Sequence, residues 1–122
     1  MQMKPLDPAF SVQQQLALSA EGPVVLANLF TLDAADEGAF LDAWAVDAAY
    51  MKARPGFIST QLHRALGSSP AYLNCAVWET LDAFRAAFDD PGFQAKLADY
   101  PASTVIAPHL FQRVAISGIC TA

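Results

Sequence analysis

Basic residues are scarce in this chain: Lys and Arg total seven against twelve Asp and Glu, leaving a formal charge of −5. Duplex nucleic acid and anionic membrane surfaces would meet net repulsion and few cationic partners, so neither is expected. Cysteine is nearly absent. Cys75 and Cys120 lie far apart and fit no CxxC or Cys/His ligand spacing, which argues against a metal framework. Long hydrophobic runs are missing as well, none approaching the roughly 18 apolar residues of a spanning helix. The first twenty residues, with one Lys and an early Pro-Leu-Asp-Pro, do not read as a signal peptide. A soluble protein of the reduced cytoplasm is the resulting expectation, and no metal, flavin or nucleotide motif interrupts it.

What the chain has is apolar mass. Its 122 residues are 54% hydrophobic, enough for one compact domain with a sizeable core. Twenty-four alanines reduce the side-chain volume per helical residue and leave space in which a ligand can sit.

Residues 1–22 lack a sustained period and end at a break, Glu21-Gly22-Pro23, so they read as an N-terminal extension. Val24 to Thr31 is a short, β-branched apolar run with one polar intruder, Asn28, and predicts a buried strand. From about Ala34 to Arg54, Phe40, Trp44, Ala48 and Met51 recur at helical spacing before Pro55-Gly56 stops the segment. Residues 57–66 and 71–79 read as two strands joined by the turn Gly67-Ser68-Ser69-Pro70. Thr80 is placed to cap a helix carrying Leu81, Phe84 and Phe88. Asp90 and Pro91 then start a second short helix that turns Phe93, Leu97 and Tyr100 inward. A last strand is expected from about His109 to Ile116, with residues 23–117 forming the domain and 118–122 a loose tail.

The order β-α-β-β-α-β predicts a ferredoxin-like α+β domain with helices on one face of a four-stranded antiparallel sheet. Its strands are apolar on both faces. The uncovered face therefore predicts a homodimer in which two sheets meet, a dimeric α+β barrel.

Alternation along Tyr72-Leu73-Asn74-Cys75-Ala76-Val77-Trp78 puts Asn74, Ala76 and Trp78 on one face, with Cys75 facing away as a small core or interface residue. A carboxamide and an indole N–H then flank a recess floored by a methyl group. The topology sets the strand of Asn28 beside that of Asn74, so three polar groups converge under the helices. A buried amide without partners costs about 1–3 kcal/mol, which makes such placement informative. Asp47 falls near the inner edge of the long helix's stripe, where burial would suit a proton acceptor, but its edge position reads as solvated. His63 beside Arg64 reads as a surface residue, and His109 after Pro108 as the start of a strand.

The strings Val25-Leu-Ala-Asn28-Leu-Phe-Thr31, Arg54-Pro-Gly-Phe57, Tyr72-Leu-Asn74-Cys-Ala-Val-Trp78-Glu79 and Phe84-Arg85 with Asp90-Pro-Gly-Phe93 resemble the antibiotic biosynthesis monooxygenase superfamily over about residues 24–116. Within it, the two asparagines and the Trp resemble the cofactor-independent anthrone oxygenases of aromatic polyketide pathways. The resemblance implies a homodimeric enzyme that oxidises a polycyclic phenol of anthrone type to a quinone with O₂ and no cofactor. Asn28, Asn74 and Trp78 would hold substrate oxygens and a peroxy intermediate. Phe30, Phe40, Trp44, Met51, Tyr72, Phe84 and Phe88 would form the substrate walls. A haem-binding or haem-degrading branch of the superfamily shares the early Asn and the Trp but carries an iron-ligating His on the helix after the third strand. Residues 80–90 contain none here. A non-catalytic small-molecule-binding dimer is the third reading.

Overall fold

The computed structural model describes residues 1–122. Its sheet is built from β1 (Gln2–Met3), β2 (Val24–Thr31), β3 (Phe57–Arg64), β4 (Ala71–Trp78) and β5 (Val105–Phe111), in the order β1-β5-β2-β4-β3. Helices α1 (Val12–Leu16), α2 (Glu37–Lys52), α3 (Leu81–Phe88) and α4 (Pro91–Lys96) complete the chain. The succession β2-α2-β3-β4-α3-α4-β5 is the expected ferredoxin-like α+β arrangement, and its four strands pair antiparallel. One strand more than expected is present. Residues 2–3 add β1, parallel to β5, so the sheet is mixed rather than purely antiparallel.

Local chemistry sets the helix ends. Thr80 Oγ1 accepts from Ala83 N at 3.0 Å at the start of α3, and Asp90 Oδ1 accepts from Gly92 N and Phe93 N at the start of α4, whose first residue is Pro91. A single 3-10 turn, Ala34–Asp36, precedes α2, which therefore begins later than its apolar spacing suggested.

The last strand also lies elsewhere than expected, at Val105–Phe111 instead of 109–116, with His109 inside it rather than at its start. Pro108 explains the difference. Lys4 N donates to Ile106 O, and both Leu110 N and Leu110 O bond the Gln15 carboxamide at 2.9 Å, so even-numbered residues of β5 turn their polar atoms to the sheet edge. Pro108 shares that direction, and its missing N–H forfeits no ladder bond. The Gln15 side chain stands in for a strand partner beyond the end of β1.

Residues 1–22 are correspondingly bound to the domain. Ser11 and Gln14 form a reciprocal cap for α1, and Arg85 donates to Leu16 O at 2.6 Å and Leu18 O at 2.7 Å.

Two apolar clusters occupy the helix-covered face. One joins Val24, Ala76, Trp78, Leu81, Phe84, Ala87 and Leu110, the other Phe30, Leu32, Phe40, Tyr72, Tyr100 and Ile106. Between them on β2 and β4 lie Leu26, Asn28 and Asn74. The opposite face presents Val25, Ala27, Leu29, Leu73, Cys75, Val77 and Phe111, with Leu29 and Phe111 over 40% exposed. No helix is long and apolar enough to cross a membrane.

Gly56, where α2 hands over to β3, has φ +85, and a Cβ there would collide with the Ala83 methyl of α3. Gly67 has φ +71 but open space around it. Gly67→Ala is expected to cost about 1–2 kcal/mol from left-handed backbone alone. Gly56→Ala should cost clearly more, because α3 must also shift. Urea midpoints of the two variants at equal m-value check this.

Candidate active site

The register of β2 on β4 pairs Asn28 directly with Asn74, Leu26 with Ala76 and Val24 with Trp78. Period-two alternation then turns Asn28, Asn74, Ala76 and Trp78 to the same face. All four line one cavity of about 100 Å³ between sheet and helices. Four residues of strand separate Asn74 from Trp78, roughly 13 Å of backbone at 3.3 Å each. Thr60 on β3 donates its hydroxyl to Asn74 Oδ1 at 2.6 Å. That bond engages the amide oxygen and leaves the NH₂ as the group Asn74 can offer a ligand. Asn28 Oδ1 and Trp78 Nε1 are buried and bond nothing. One is an acceptor and the other a donor, so the cavity asks for an occupant that carries both a hydroxyl and a carbonyl oxygen.

The walls are aromatic and apolar. Phe30, Trp44, Met51, Phe84 and Phe88 border the cavity as expected from sequence. Two expected wall residues do not. Phe40 has no exposed surface and packs edge-on against Phe30 at 5.0 Å. Tyr72 points into the same cluster and donates its hydroxyl to Glu37 Oε1 at 2.7 Å, a carboxylate that Arg64 also grips at 2.9 Å. Burial raises the Tyr72 pKa, the bond to Glu37 adding to it. The Arg64 and Tyr72 bonds hold Glu37 below the usual carboxylate range. These two residues follow the strand and helix periods correctly, but their aromatic neighbours fill the space in front of them.

Asp47 joins the site more firmly than its position at the edge of the stripe suggested. On α2 it lies three residues after Trp44 and four before Met51, and with them it borders the cavity. Tyr100 donates to Asp47 Oδ2 at 2.6 Å, whereas Oδ1 is buried without a partner. Desolvation raises the Asp47 pKa, against the opposing bond from Tyr100 and the charge of Lys96. Tyr100 is itself pushed far up by burial and by the neighbouring carboxylate, so it remains a donor. Sequence spacing placed both Asp47 and Tyr100 on inward stripes, but gave no signal that these residues, 53 positions apart, would meet.

Met1, Met3 and Val12 of the N-terminal segment also border the cavity. Drug-sized ligands usually occupy pockets of roughly 300 Å³ or more. A polycyclic occupant therefore requires yielding side chains, and unbranched thioethers adapt most readily. Neither histidine reaches the cavity. His63 is exposed on β3, with Nδ1 3.2 Å from Leu73 O, and His109 pairs opposite Ala27 and faces away. Cys75 also faces away.

With this geometry established, likeness to known proteins becomes informative. The family model for antibiotic biosynthesis monooxygenases matches residues 23–98. The chain belongs to that family. Deoxynogalonate monooxygenase of Streptomyces nogalater is 37% identical over 70 residues, which are 57% of this chain and 58% of the relative, so the match spans little more than half that protein's length. The crystal structure of SnoaB, a cofactor-independent oxygenase from Streptomyces nogalater, superposes with TM-score 0.73 at 30% identity over 80% of this chain and 98% of SnoaB. A protein of Shewanella loihica shares the fold at TM-score 0.68 and 24% identity, covering 80% and 99% of the two chains. The family match runs from residue 23 to residue 98 and leaves out β1, α1 and β5.

The raised Asp47 pKa has a consequence for stability. The native state holds the proton to higher pH than the unfolded chain, so stability falls as pH rises from the unfolded carboxylate range through the native value. Asp47→Asn should therefore raise Tm near pH 7, and the difference should vanish below the unfolded carboxylate pKa. Thermal melts across pH 3–8 test this.

Proposed function

We propose that this protein is a cofactor-independent oxygenase that converts the acidic methylene of a polycyclic phenolic ketone, an anthrone-type substrate, to a carbonyl with O₂, yielding a quinone. The observation that carries this reading is the pair of unsatisfied buried atoms, Asn28 Oδ1 and Trp78 Nε1, flanking an aromatic-walled cavity beside Asn74. A substrate phenol would donate to Asn28 Oδ1, while the neighbouring Asn74 NH₂ and the Trp78 N–H farther along β4 would each donate to a separate oxygen of the conjugated ring system. As those oxygens gain charge on enolisation, fixed donors in a water-poor cavity stabilise them more than water does.

The electron balance suits a site built without a redox group. Oxidation of a CH₂ to C=O removes four electrons, and O₂ takes four in becoming one carbonyl oxygen and one water. No external reductant enters. Membership of the family and likeness to SnoaB support the same chemistry. The haem reading gains no support from the residues, because neither histidine nor either cysteine borders the cavity.

The open sheet face is assigned to a second copy of the chain. Leu29 and Phe111 leave apolar surface at the sheet centre and edge, and a second sheet laid on it would close the barrel. Sedimentation should give twice 13.0 kDa, and Leu29→Glu should shift the species toward monomer.

Turnover of dithranol by chelator-treated protein in air, followed by quinone absorbance, tests the activity. Wild type should turn over and place one atom of ¹⁸O₂ in the product and the other in water. Asn74→Ala and Trp78→Phe should each lower kcat by about 10²–10³, the usual loss for one oxyanion donor. No turnover, or variants as fast as wild type, would reject the reading. A sharp Soret band on haemin titration would favour the haem branch.

A further inference from the structure

We infer that Asp47 is the general base of this site, taking the substrate's methylene proton on Oδ1, and that Tyr100 is the residue that positions it. The inference rests on the oxygenase reading above and supplies what the Asn28, Asn74 and Trp78 set lacks, since neither an amide nor an indole accepts a carbon-bound proton at neutral pH.

The argument begins with an asymmetry. A buried carboxylate kept for structure satisfies both oxygens, because each unpaired one is costly. Asp47 satisfies one. Oδ2 is held by the Tyr100 hydroxyl at 2.6 Å, and Tyr100 is itself fixed by stacking on Phe30 at 6.3 Å and by a tilted contact with Phe40 at 5.8 Å. Oδ1 is buried, bonds nothing, and belongs to a residue that borders the cavity. The carboxylate is thus oriented through one oxygen and open through the other. The groups facing it are few. Tyr100 follows α4, Lys96 on α4 is the one cation that acts on it, and Lys96 Nζ sits 4.4 Å from the centre of the Tyr50 ring rather than in an ion pair with Asp47. The polar groups that share the cavity, Thr60, Asn28, Asn74 and Trp78, are uncharged.

The proton and electron path then closes on this chain's own groups. Asp47 Oδ1 removes one methylene proton, and the C–H electron pair delocalises into the ring carbonyl as an enolate held by the Trp78 and Asn74 donors. One electron passes from the enolate to O₂, and the resulting carbon radical and superoxide couple to form the C–O bond. Protonated Asp47 delivers its proton to the distal oxygen, giving a hydroperoxide. The regenerated carboxylate removes the second proton from the same carbon, C=O forms as the O–O bond breaks, and hydroxide leaves with that proton as water. Desolvation strengthens Asp47 as a base, and the bond from Tyr100 opposes that rise.

Two readouts test the assignment on the intact protein. The first is anaerobic exchange of the dithranol methylene in D₂O, which isolates proton removal from the oxygen step. The second is the pH dependence of kcat/KM in air. Wild type should accelerate exchange over buffer, and Asp47→Asn should lose about 10²-fold or more of both exchange and turnover with little change in dithranol affinity. The acidic limb of the wild-type profile should disappear in Asp47→Asn. In Tyr100→Phe it should move to higher pH, because the lost bond holds the carboxyl down, a shift that a merely structural role would not produce. Asn keeps an oxygen for the Tyr100 hydroxyl, so the first variant is expected to fold. Wild type that oxidises dithranol while Asp47→Asn exchanges and turns over as fast overturns the base and leaves the oxygenase standing. Exchange that depends on Asp47 without any oxidation supports the base and removes the oxygenase. Wild type that does neither overturns both.

Discussion

Everything at the cavity depends on the register in which β2 lies against β4. Eight consecutive pairs run from Val24 opposite Trp78 to Thr31 opposite Ala71. Side chains alternate with period two, so a slip of one residue on either strand would carry its polar groups to the open face and replace them with Cys75, Ala27 or Leu73. What prevents the slip is apolar burial at both ends of the ladder. Val24 and Trp78 lock into the cluster under α3, and Phe30 and Tyr72 into the cluster under α2. The polar pair between them is carried along by apolar burial at the two ends of the ladder.

That arrangement lets the protein keep groups unsatisfied in its interior. Asn28 Oδ1, Trp78 Nε1 and Asp47 Oδ1 each lack a partner, and each costs stability that well-packed neighbours offset. Such unmet capacity becomes binding energy for a ligand with complementary oxygens, and fixed dipoles in a dry site need little reorganisation when charge develops. The same logic explains why residues that stabilise the fold sit at the margins. Tyr72, Glu37 and Arg64 bond one another, and Tyr50 donates to Asp90 at 2.5 Å while Arg54 approaches the same carboxylate at 3.5 Å, its Nε left without a partner. These bonds fasten helices to one another and to the sheet, whereas the unpartnered atoms of Asn28, Trp78 and Asp47 belong to residues that border the cavity.

The N-terminal segment shows how a domain of a known family is altered without disturbing its sheet. β1 and Gln15 extend the ladder at the β5 edge with a few backbone and carboxamide bonds. Met1, Met3 and Val12 bring flexible apolar side chains to the cavity. Little in residues 1–22 announces this, because their contacts are single hydrogen bonds and isolated side chains rather than a repeating apolar face.

Where a local rule sufficed, the sequence was readable. Thr80 and Asp90 cap helices through atoms two or three residues away, and alternation alone put Asn74, Ala76 and Trp78 together with Cys75 opposite. Where two local rules competed, reading failed. The last strand was expected to start after Pro108, and only the finding that its nitrogen faces the sheet edge makes Pro108 an ordinary member of β5. Phe40 and Tyr72 were correctly placed on inward faces, but which inward residues border space and which border other rings is a property of packing. The amino-acid sequence by itself determined the order of elements from β2 to β5, the faces on which Asn74 and Trp78 emerge, and the family. The tertiary structure decided that Asn28 stands opposite Asn74, that Tyr100 orients Asp47 across 53 residues, and that the N-terminal segment reaches the cavity. Periodicity and capping act over a few residues and are written into the chain, whereas register, packing and burial arise only when distant segments meet.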